Sequence, residues 1–87
     1  MTTSESPSFT FEVFASTFSE IHTVEWIEVE GPNGSFLVGP GHSPLISIIK
    51  KRSTITYKKT NTEQNTIEAS GGIFKVANNK AIILLDQ

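Results

Sequence analysis

Two histidines and nine carboxylates are the titratable groups from which an active site could be assembled, and the chain has no cysteine. A nucleophilic mechanism would have to start from a hydroxyl with a base beside it. His42 and Ser43 are neighbours in sequence, but adjacent side chains on extended backbone point apart, so the pair reads as turn polarity and not as a Ser-His dyad. His22 shares a strand-like segment with Glu25, Glu28 and Glu30, of which the last two fall on one face. Hard cations take more oxygen ligands at defined loop spacings, so this set reads as a solvated strand face and no metal is expected. Gly34, Gly39, Gly41, Gly71 and Gly72 do not open a helix, and no Lys-Ser or Lys-Thr pair follows them as a phosphate cradle would need. Lys50, Lys51 and Arg52, with Lys58 and Lys59 further on, form the basic cluster, whose usual meaning is protection of a sheet edge. The residues thus predict neither a catalytic group nor a cofactor site.

The elements that would carry these residues are strands. Phe9, Phe11 and Val13 alternate with Thr10 and Glu12, the period of a strand with one buried face. Val24 to Glu30 follows, but Val24 lies out of phase with Ile27 and Val29, which predicts a bulge near Glu25 and Trp26 and turns Trp26 outward. Phe36 to Val38 and Leu45 to Ile49 flank a proline-rich turn. Thr54 to Lys58 and Thr66 to Ala69 flank the polar loop Lys59 to Asn65. Ile73 to Val76 and Ala81 to Leu85 flank Asn78 and Asn79, residues suited to a two-residue hairpin turn with positive φ. About eight to ten short strands at spacings of roughly 8 to 12 residues predict an all-β, two-layer sandwich or flattened barrel.

Eighty-seven residues make one small domain, predicted over residues 9–87 behind a frayed segment 1–8 that has nothing to bury. A chain of this size buries only about 60% of its unfolded surface, so stability should be modest. The net charge of −2 is far from the basic footprint of a nucleic-acid binder. No run approaches the ~18 apolar residues of a membrane-spanning helix, so any membrane link passes through another protein. The first residues fit neither a signal nor a transit peptide, which points to a bacterial cytoplasm or an organelle-encoded gene.

The stretch Gly34-Ser35-Phe36-Leu37-Val38-Gly39-Pro40-Gly41-His42-Ser43-Pro44-Leu45 resembles the signature of the epsilon subunit of F-type ATP synthases, the delta subunit of mitochondria. Its local logic is that Pro40 presets φ, Gly41 can take positive φ and Pro44 ends the turn. Ser70-Gly71-Gly72-Ile73-Phe74-Lys75-Val76 is similar to the same family's Ser-Gly-Gly-x-x-x-Val, and the ordered set spans about residues 9 to 86. The resemblance implies a non-catalytic rotor part on the cytoplasmic face of the bacterial inner membrane, with the gamma subunit and the c-ring as partners. It implies that Asn33, Gly34 and Ser35 face the ring and that His42 and Ser47 face gamma. Trp26 is added to that surface because aromatics concentrate interface energy. Pro40, Gly41, Pro44, Gly71 and Gly72 are structural. Family members often carry an acid at the position of Ser35, and a glycine where Lys51-Arg52-Ser53 stand. Many continue into a helical hairpin beyond the position of Gln87, so ATP binding is not expected of this short form.

Two other classes compete. A stand-alone β-sandwich binding module for protein or glycan would use Trp26, Tyr57 and Phe74 as its contact surface, and a small hydrolase would use His42 but lacks a second convergent polar group.

Overall fold

The computed structural model describes residues 7–60 and 63–86. Of the expected frayed segment 1–8, residues 1–6 lie outside the described residues, as do Asn61 and Thr62 of the expected loop Lys59 to Asn65. Among the described residues eight strands form and no helix. They are β1 (Phe9–Phe14), β2 (Ser19–Gly31), β3 (Gly34–Val38), β4 (Leu45–Ile49), β5 (Ser53–Lys59), β6 (Gln64–Ala69), β7 (Gly72–Ala77) and β8 (Lys80–Leu85). One continuous sheet runs β4-β7-β8-β1-β2-β5-β6, with β3 attached to β2.

This sheet becomes two layers through β2. Residues 19–24 of β2 pair with β1, whereas residues 27–31 pair with β3. The ladder to β5 shifts register between Val24 and Trp26. That bulge re-phases the strand, so Val24, Ile27 and Val29 are all buried although they do not share one period of two. The sequence reading placed the bulge correctly but started the strand five residues late. Ile21 is the reason, because it points outward at 71% exposure and breaks the inward apolar pattern; pairing with β1 carries Ser19 to Thr23 instead.

The core gathers inward residues of every strand, among them Phe9, Phe11 and Val13 of β1, Ile55 and Tyr57 of β5, Phe74 and Val76 of β7, and Ile83 of β8. Burying such β-branched and aromatic side chains stabilises by about 1.5–3 kcal/mol each. The layers also meet at their rims, where the Lys50 amide donates to the Glu30 carbonyl at 2.9 Å. Ser53, buried at the turn into β5, donates its hydroxyl to the Lys50 carbonyl at 2.6 Å.

The predicted turns are present. Asn78 and Asn79 have φ of 53° and 62° and join β7 to β8. Gly41 has φ 74° in the turn between β3 and β4. Arg52 takes a left-handed conformation at φ 56° in the turn between β4 and β5.

Candidate interaction surface

The proline-rich turn is held from outside its own strands. The Gly41 amide donates to Asn79 Oδ1 at 2.9 Å, and Asn79 Nδ2 donates to the Ser8 carbonyl at 3.2 Å. The Asn79 carbonyl accepts the Thr10 amide. One side chain in the β7–β8 turn thus ties the start of β1 to the turn that carries His42. Inside that turn the His42 amide donates to the Gly39 carbonyl, and His42 Nδ1 donates to the Ser43 carbonyl at 2.7 Å. The imidazole is thereby oriented by the backbone carbonyl of Ser43. Sequence reasoning missed Asn79 as a clamp because its partners lie 38 and 71 residues away.

Asn33 lies in the β2–β3 turn and Gly34 and Ser35 open β3 beside it, all exposed, with Gly34 at φ 125°. They lie at the opposite end of β3 from the His42 turn, roughly 17 Å apart at the rise of an extended strand. Trp26 is half-buried beside the bulge, opposite Lys58 on β5. Lys58 pairs with Glu25 at 3.1 Å, so the indole stands within a charged outer face. Ser47 is half-buried, its hydroxyl donates to the Ile48 carbonyl at 3.1 Å, and it faces Gly31 of the other layer. The outward side chains of β4 are Ile46 and Ile48, 69% and 64% exposed. The sequence reading took Leu45 to Ile49 as a short apolar strand and assigned no outward face to it.

His22 does not join Glu25, Glu28 or Glu30. Its Nε2 donates to Glu20 at 2.9 Å, and its ring stacks on Tyr57 with centroids 5.1 Å apart. Burial pushes the Tyr57 phenol above its ordinary value, and the Glu20 carboxylate adds to the effect. Glu30 turns back to accept the Thr54 amide. Among the described residues no three His, Asp or Glu side chains converge, and no helix is long and apolar enough to cross a membrane. The aromatic surface expected of the binding-module alternative does not form: Tyr57 and Phe74 are core residues at 6% and 0% exposure, because their strand phase sends them inward, and of the three Trp26 alone reaches the surface.

The family described as the ATP synthase delta/epsilon chain β-sandwich domain matches residues 13–87. This chain belongs to that family. Over 57 residues the delta/epsilon-type sandwich is 35% identical to the ATP synthase epsilon chain of Chlorobaculum tepidum, a stretch covering 66% of this chain and 64% of that relative. Its fold superposes on a chain of the Euglena gracilis mitochondrial ATP synthase with TM-score 0.85 at 12% identity, covering 100% of this chain and 56% of the other. A chain from the central stalk and c-ring assembly of the Tetrahymena thermophila enzyme gives 0.78 at 10% identity, with 97% and 67% covered. At such identities the superpositions speak for the sandwich fold alone.

Proposed function

We propose that this chain is a non-catalytic central-stalk subunit of an F-type ATP synthase, bound to gamma and to the c-ring on the cytoplasmic face of a bacterial inner membrane. The observation that carries the reading is the family match across residues 13–87. In the rotor, the Asn33–Ser35 hairpin tip is the ring contact, and the clamped His42 turn with Trp26 is the gamma contact. A torque-transmitting part needs rigid tips on a stiff body. The long β2 with its partners and the Asn79 clamp supply both. On this reading the tips work by contact.

Affinity purification of the tagged full chain from its own membranes tests this. Gamma and c-subunits are expected to co-purify, and recovery of neither from cells with an intact synthase overturns the reading.

A further inference from the structure

Asparagine stands at positions 33, 61, 65, 78 and 79, and at position 33 alone the next residue is glycine. That pairing carries a chemistry of its own. The backbone nitrogen of the following residue can attack the carbonyl carbon of the asparagine side chain, and a Cβ on that residue is what ordinarily crowds the attack. Glycine removes the crowding and gives the backbone the widest choice of approach. Asparagine counts among the thermolabile residues for this reason.

The fold sorts the described asparagines by how their carboxamides are held. Asn79 gives Oδ1 to the Gly41 amide and Nδ2 to the Ser8 carbonyl, so its side chain is fixed from both ends. Asn65 donates Nδ2 to the Glu63 carbonyl at 3.0 Å. Asn78 is exposed at φ 53°, but the residue after it is Asn79, whose side chain is locked in the clamp. Asn33 is exposed, and no described residue takes up its carboxamide. Gly34 matches it on the other side of the peptide bond. At φ 125° the place of a Cβ on Gly34 is open, with no atom within 4 Å, which leaves room for a ring to close. The Gly34 amide belongs to the outermost pair of the β2–β3 ladder, Gly31 with Gly34, and β5 pairs with β2 only from Val24 to Glu28. Opening that last pair therefore disturbs no other strand, and such local openings lie at the low end of the free-energy range.

We propose that Asn33 is a site of spontaneous deamidation in the folded chain, with the Gly34 nitrogen as nucleophile. A bond forms between Gly34 N and Asn33 Cγ, and the side-chain nitrogen leaves as ammonia, taking the Gly34 amide proton with it. Water then opens the succinimide, and no oxidant or reductant takes part. Opening at the side-chain carbonyl leaves aspartate. Opening at the backbone carbonyl leaves isoaspartate, whose main chain runs through the former side chain and is one methylene longer. Either product adds one carboxylate, taking the formal net charge from −2 to −3, and the second also lengthens the short turn between Gly31 and Gly34. The inference goes beyond the rotor reading and holds whether or not this turn meets a ring.

Timed incubation of the folded full chain in mildly alkaline buffer, followed by peptide mapping in a mass spectrometer and methyltransferase labelling of isoaspartate, is the test. Conversion is expected at position 33, faster as pH rises because the deprotonated amide is the attacking species, while the other asparagines keep their amides. Gly34→Ala is expected to slow position 33 to the rate of those others. A side chain strains the backbone at Gly34, so Asn33→Asp serves as a second variant: it keeps the glycine and is expected to yield isoaspartate with no change of mass. An amide retained at position 33 overturns the proposal, as does earlier conversion at another asparagine or conversion only after unfolding in urea. Gly34→Ala converting at the parental rate, or Asn33→Asp yielding no isoaspartate, overturns the Gly34 nitrogen as nucleophile.

Discussion

Tyr57 illustrates what one side chain feels inside this small sandwich. Its ring packs edge-on against Phe11 at 5.2 Å and flat against His22, while its hydroxyl sits 3.5 Å from His22 Nε2. Burial first, and the Glu20 charge second, raise the cost of its phenolate. The folded value therefore lies above the unfolded one, so the contribution to stability is complete below about pH 10 and is lost as pH rises through the folded value. Thermal melts taken from neutral to strongly alkaline pH should show the parent losing stability faster than Tyr57→Phe above that point. Parallel losses in the two proteins would show that Tyr57 is not the group responsible.

At the scale of the element, turns decide how strands meet. Gly72 opens β7 at φ 148°, and a Cβ placed there would land on the Leu84 carbonyl oxygen of the neighbouring strand. Both the conformation and the missing space demand glycine. Gly72→Ala must push β7 from β8 and is expected to destabilise by about 2–4 kcal/mol, at the upper end of single substitutions, read as a lower denaturant midpoint. Arg52 is the opposite case, a non-glycine residue held at positive φ. Left-handed backbone costs roughly 1–2 kcal/mol for such a residue, and glycine gives back about 0.5–1 kcal/mol in unfolded-state entropy. Arg52→Gly should therefore raise stability by about 0.5–1 kcal/mol in the same denaturant series. The Ser53 bond to Lys50 explains how the turn keeps its shape with arginine in place.

For the whole molecule, one core serves both layers and no disulfide supplements it. Ile83 is fully buried, paired with Val13 on one side and Phe74 on the other. Ile83→Ala should cost about 2–5 kcal/mol, a large share of the ~5–15 kcal/mol available to any domain. Equilibrium unfolding in urea should show the midpoint falling while the slope stays constant; a changed slope would instead point to a change in the compactness of either end state.

What could be read along the chain was whatever depends on neighbours in sequence. The inward period of β1, the turn chemistry of Asn78-Asn79 and Pro40-Gly41, and the out-of-phase Val24 that marks the bulge are local, because strand alternation and φ preference are properties of one or a few residues. The expectation of about eight to ten short strands followed from these. Tertiary structure alone decided which outer face would be polar and which apolar. Ile21, Ile46 and Ile48 look like core residues in a linear pattern, and only the pairing of β4 with β7 and of β1 with β2 shows them open to water. It also decided the clamp by Asn79 and the burial of Tyr57 against His22, since contacts between residues 35 to 71 positions apart leave no mark in a local period. Hydrophobic burial is non-directional, so a sequence can declare that a residue prefers to be covered without declaring what will cover it.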